Sequence, residues 1–131
     1  MPRVRYCLLC NDIRLELNGK FSIIGVFESW AVPNLSAQLP RFCVIAELIF
    51  EQPGNHRVAM RIDGPSGFRS ELPGSAEANA PNPITEAYHA TLVAEFLTFQ
   101  PSGPGRYDIK FVVEQEELWG SAFLLYELTP P

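Results

Sequence analysis

Apolar and polar residues alternate with a period of two along most of the chain. The runs are short, rich in β-branched and aromatic residues, and separated by Gly, Pro and Asn clusters. That rhythm predicts strands packed as a sandwich or barrel. It places strands near residues 3–10, 13–17, 20–28, 41–51, 57–63, 68–72, 87–99, 106–114 and 118–128. The first two read as one strand broken by a bulge at Asn11-Asp12, because apolar parity passes from Tyr6 and Leu8 to Ile13 and Leu15. No amphipathic helical period and no convincing internal repeat is present. The expectation is an all-β, antiparallel two-sheet sandwich of about eight strands, a single domain over residues 1–131.

Matching side-chain faces predicts hairpin registers. A loop at residues 17–19 pairs Leu15 with Phe21, Ile13 with Ile23 and Glu16 with Lys20, leaving one face apolar and placing Gly19 in the left-handed position. A loop at Pro53-Gly54-Asn55 would pair Phe50 with Val58, Leu48 with Met60 and Ala46 with Ile62. The other face would then match Glu51 with Arg57 and Glu47 with Arg61, so this is also expected to be a hairpin. In 106–114, Tyr107, Ile109, Phe111 and Val113 face one way and Arg106, Asp108, Lys110 and Glu114 the other. Its partner is apolar on both parities: Leu118, Ala122, Leu124 and Leu128 on one, Trp119, Phe123 and Leu125 on the other. Residues 30–40 and 73–86 are expected to be long loops, the second mobile.

Composition narrows the partners. At 131 residues with 47% hydrophobic content, the chain can bury a core without disulfides or metal. A net charge of −5 with scattered Lys and Arg argues against nucleic acid and against anionic membrane surfaces. The N-terminus, Met1-Pro2-Arg3-Val4-Arg5-Tyr6-Cys7, lacks a long apolar segment and no run is long enough to span a bilayer, so a cytoplasmic location is expected. Three cysteines fit reduced thiols.

Two stretches carry a resemblance. Asn18-Gly19-Lys20 runs into Ser22-Ile23-Ile24-Gly25-Val26-Phe27. Gly103-Pro104-Gly105-Arg106-Tyr107-Asp108-Ile109 leads through Val112-Val113-Glu114 to a closing strand with Phe123. With Gly54-Asn55-His56-Arg57-Val58 and Asp63-Gly64-Pro65-Ser66-Gly67 between them, nearly the whole chain resembles a family of uncharacterised bacterial proteins, a domain-of-unknown-function group. The group tends to carry an Asp-Gly turn near its end, where this chain has Glu114-Gln115. The resemblance implies a Greek-key-like sandwich and supplies no catalytic residues.

Chemistry-bearing residues are sparse. Cys7-Leu8-Leu9-Cys10 is a C-x-x-C, but residues three apart in a strand point to opposite faces, and Cys43, His56 and His89 are isolated. Asp63 stands alone, and Glu114, Glu116 and Glu117 read as a solvated hairpin tip rather than a calcium site. Neither histidine has an evident nucleophile, and no nucleotide-binding or nucleophile-elbow motif occurs. No catalytic residue, metal or cofactor is expected. Trp30 and Trp119 could stack on a sugar or a partner, but capping the core is the ordinary role of such aromatics.

The expected function is a non-catalytic protein-binding or assembly module of a bacterial cytoplasmic complex; the alternative is a small-molecule or carbohydrate-binding sandwich, or an enzyme of unrecognised type. Self-association is expected, as a dimer through a sheet face or edge. Its surface would include Cys43, Ile45 and Ile49, opposite the core set of their strand, together with Trp119, Phe123 and Leu125.

Overall fold

A computed structural model describes residues 1–32, 39–79 and 81–128. The described chain forms nine strands: β1 (Arg3–Leu15), β2 (Phe21–Phe27), β3 (Ser29–Val32), β4 (Phe42–Phe50), β5 (Gly54–Asp63), β6 (Arg69–Ala78), β7 (Tyr88–Phe96), β8 (Gly105–Val113) and β9 (Glu116–Glu127). They build two sheets, ordered β2-β1-β4-β7 and β3-β9-β8-β5-β6. All pairs are antiparallel except β3 with β9. A short 3-10 turn, Pro65–Gly67, is the one helical segment among the described residues.

Alternation decides what each strand buries. From β8 come Tyr107, Ile109, Phe111 and Val113, and from β5 Val58, Met60 and Ile62. They meet Val44, Ala46 and Leu48 of β4 and Leu9 of β1. Phe42 anchors an aromatic cluster, stacked on Phe96 at 4.8 Å and edge-on to Trp30 and Phe99. Tyr107 pins the corner into β8. Its hydroxyl donates to the Gly103 carbonyl at 2.7 Å and accepts from the Ser102 amide at 3.0 Å, the tyrosine corner of Greek-key sandwiches. Gly64 makes room for that ring, since a Cβ there would lie 2.4 Å from Tyr107 Cε2.

The β1–β2 hairpin takes the expected register, with Leu15 opposite Phe21 and Ile13 opposite Ile23. Glu16 and Lys20 close the loop by backbone hydrogen bonds, and Gly19 lies at φ +84°. The register runs unbroken past Asn11-Asp12, so the expected bulge is not there; it falls at Arg5, between Val4 and Tyr6. Parity changes in the sequence because β1 is apolar on both faces.

The expected hairpin at residues 53–55 is overturned. β4 and β5 lie in different sheets, and the chain crosses between layers. Phe50, Leu48 and Ala46 share the core with Val58, Met60 and Ile62 without pairing with them. Two strands that face each other across a core show the same matched apolar faces as a hairpin. The charged matches dissolve too: Glu47 meets Arg5 and His89, and Arg61 meets Asp63 and Glu117.

Half of the expected loop at 73–86 is strand, because β6 continues to Ala78 through Pro73 as a sheet edge, where proline is tolerated. In the other expected loop, Trp30 to Val32 belong to β3 and Leu39 is buried; residues 33–38 lie outside the described residues.

The last hairpin closes on two residues, Glu114 and Gln115, at φ +50° and +73°, with Val113 opposite Glu116. Left-handed backbone at both central positions is a turn that favours Asn-Gly. The double substitution Glu114→Asn, Gln115→Gly is therefore expected to stabilise the fold by about 1–2 kcal/mol. Urea denaturation checks this; an unchanged midpoint would contradict it.

Candidate functional site

The outward faces of the two sheets differ in what they offer. On the four-stranded sheet, Cys43, Ile45 and Ile49 do project away from the inter-sheet core, but they are only 2%, 0% and 6% exposed. Each sits in a central strand between flanking neighbours. Cys43 lies between Cys10 and Glu95, Ile45 between Leu8 and Val93, and Ile49 between Arg3 and His89. Arg41 spans β4, reaching Asp12 on one side and Glu95 on the other. The three apolar residues are thus covered within one chain and do not form the expected exposed surface.

Phe123 and Leu125 are corrected in the same sense. Both are in the core, at 1% and 2% exposure. The reason is a bulge at Gly120: Ile109 faces Ser121, but Lys110 faces Trp119. Before it, Leu118 points in and Trp119 out; after it, Phe123 and Leu125 point in and Leu124 and Tyr126 out. The inward set of β9 changes parity at the bulge, from Leu118 to Phe123 and Leu125, and the outward face keeps apolar residues of its own. Gly120 fits because a Cβ would lie 2.7 Å from Phe111 Cε2 and 3.2 Å from Cys7 Sγ.

Of the six expected surface residues, Trp119 alone is exposed, at 56%. It stands on the outer face of the five-stranded sheet, with its indole N–H donating to Asp108 Oδ1 at 3.1 Å. Arg106 donates to the same oxygen at 3.0 Å, so the two side chains are held by one carboxylate. Leu124 and Tyr126 on β9 are about half exposed. Beside Trp119 lies a groove of about 480 Å³, bounded by Glu28, by Ser29 at the start of β3, and by Arg106, Ala122 and Leu124. Sequence parity alone could not separate Trp119 from Phe123; the lone glycine inside an apolar strand was the available signal.

Next to this apolar strip the same face carries a charge network. Arg61, buried although charged, bonds to Asp63 and Glu117. Asp63 also receives Arg69 at 2.9 Å and Lys110 at 3.2 Å. Burial would raise the Asp63 carboxyl, but the hydrogen bonds from Arg69, Lys110 and Arg61 outweigh it and hold it below the usual carboxylate range. The Arg61 hydrogen bond likewise holds Glu117 down.

The other chemistry-bearing residues lie elsewhere in the fold. Cys7 faces the core, while Cys10 lies on the opposite face, opposite Cys43. Among the described residues, no group of three or more His, Cys, Asp and Glu side chains could hold a metal ion. His56 stacks on Phe50 at 4.0 Å, with Nε2 2.9 Å from the Gln52 carbonyl, beside a hollow of about 240 Å³. His89 is held by Glu47 and Thr85. Trp30 packs on Phe27 at 4.6 Å as a core cap. No helix among the described residues is long and apolar enough to cross a membrane.

A family model described as a family of unknown function, DUF6941, matches residues 5–125. The chain belongs to this family. No curated protein matches it. Among solved structures it is similar to the Pseudomonas fluorescens alkylpurine DNA glycosylase AlkC bound to DNA containing an abasic site analog. That match has 14% identity and a TM-score of 0.54, and covers 95% of this chain and 30% of the glycosylase. The likeness is one of fold, and the chain corresponds to under a third of the glycosylase's length.

Proposed function

We propose that this DUF6941 domain is a non-catalytic protein-binding or assembly module that docks a partner protein on the outer face of its five-stranded sheet. The observation that carries the proposal is Trp119, more than half exposed on a strand yet fixed in orientation by Asp108. An exposed Trp costs solvation that a lone domain gains nothing from, and a held one loses little entropy on docking. Arg106, held on the same carboxylate, adds a second residue type that is frequent in binding hot spots. The charged network supplies a polar rim.

The glycosylase it resembles is bound to DNA, but that likeness is carried by fold alone. Here the net charge is −5, and Arg61, Arg69, Arg106 and Lys110 on this face are each matched by carboxylates. That arrangement suits a protein surface better than a phosphate backbone.

Trp119→Ala should weaken capture of the partner from host extract by roughly 30-fold, a hot-spot loss of about 2 kcal/mol, with folding unchanged. Equal retention of the same proteins by wild type and variant would overturn the proposal.

A further inference from the structure

β9 is an inner strand over one part of its length and an edge over the rest. Leu124 has Arg106 of β8 on one side and Ser29 of β3 on the other. Ala122 has Asp108 on one side and Trp119 has Lys110, and among the described residues no strand pairs with either on the other side. β1 meets this stretch from the facing sheet, with Cys7 against Gly120, and forms no ladder with it. Alternation decides which backbone groups are left over. The Leu124 N–H donates to the Glu28 carbonyl at 3.0 Å and the Leu128 N–H to the Val32 carbonyl at 2.8 Å, so even-numbered residues turn toward β3. Ala122 is the next in phase, and its N–H and C=O face the side where β3 has not yet begun. The groove beside Trp119 lies along this stretch and ends at Glu28 and Ser29.

Backbone groups that lose water on docking need hydrogen-bond partners, and the complement of an open strand edge is another strand. We propose that the partner adds an extended segment to β9 in line with β3, bonding the Ala122 backbone and laying alternate side chains beside Trp119. The inference rests on the Trp119 face reading and names the element of the partner that fills it. The Gly120 bulge keeps the ladder short, which suits a linear segment and excludes the long sheet edge of another domain. Glu28 marks the segment's chemistry. It is exposed at the end of the groove, its carboxylate has no partner among the described residues, and the chain carries a net charge of −5. A Lys or Arg in the segment answers it there.

A displayed library of short random peptides, selected on the immobilised wild type, tests this. The retained peptides should alternate apolar and polar positions and carry a basic residue. Ala122→Pro removes an N–H at an edge position, where a sheet tolerates proline, and should weaken their binding by at least about tenfold, as should Trp119→Ala. Amide hydrogen exchange on the wild type gives a reading that needs no variant. In the free chain the Ala122 amide should exchange fast while its neighbours Ser121 and Phe123, bonded to β8, are protected, and a retained peptide should slow Ala122. Peptides lost to Trp119→Ala but kept by Ala122→Pro would overturn strand addition and leave the Trp119 face standing. Peptides lost to Ala122→Pro but kept by Trp119→Ala would support strand addition and contradict the Trp119 face. Protection of Ala122 in the free chain, or no peptide retained above a blank surface, would overturn the inference.

Discussion

Replacing Phe123 by Ala should destabilise the fold by about 3–5 kcal/mol, the cost of emptying a buried aromatic position. The ring is 1% exposed and stacks on Tyr107 with centroids 5.2 Å apart and planes at 8°. It also meets Phe42 and Phe99 edge-on. Removing it opens a void at the centre of the aromatic cluster and strips contacts from the tyrosine-corner ring. Trp119, four residues earlier, should behave oppositely, with Trp119→Ala changing stability by no more than about 0.5 kcal/mol, the range of surface substitutions. Urea denaturation of both variants separates the faces of β9. Loss of less than about 1 kcal/mol for Phe123→Ala would contradict the Gly120 bulge and return Phe123 to the surface.

Stability should also fall steeply in alkali, and Cys7 sets the window. Burial pushes its thiol up from an ordinary value of 9.0 to about 12. In the unfolded chain the thiol ionises near its ordinary value; in the fold it must stay protonated. Below pH 9 both states hold the proton and the contribution is complete. Between pH 9 and about 12 the unfolded state alone releases it, so stability falls by up to about 1.4 kcal/mol per pH unit, about 4 kcal/mol across the window. Cys10 and Cys43, both also raised by burial, act in the same direction. Cys7→Ala should flatten this dependence at some cost in neutral stability. Denaturation midpoints from pH 8 upward decide it, and an identical alkaline slope in the variant would refute the assignment.

The parts of the fold legible in the sequence were those set by local alternation. The inward face of β8 and the β1–β2 register follow from side-chain parity and one turn glycine, both short-range properties. Sheet membership was not legible. Ala46, Leu48 and Phe50 match Ile62, Met60 and Val58 equally well across a core or across a ladder. Only the second half of β6 was hidden, because Pro73-Gly74-Ser75 has no strand propensity of its own; its pairing with β5 supplies the stability. The candidate site was half legible. Exposed and buried residues of β9 cannot be told apart by parity once Gly120 shifts the phase. Ile45 and its neighbours looked like surface because the sheet flanks that cover them come from β1 and β7, distant in the chain.

The central claim is that the Trp119 face receives a protein. A photo-reactive benzoylphenylalanine placed at Leu124 in the native host tests it most directly, with Leu17 at the β1–β2 hairpin tip as the exposed control. The account predicts one discrete cross-linked protein from position 124, absent from position 17 and lost when Trp119→Ala is added. The same cross-links from both positions, or a product at 124 that survives Trp119→Ala, would contradict it.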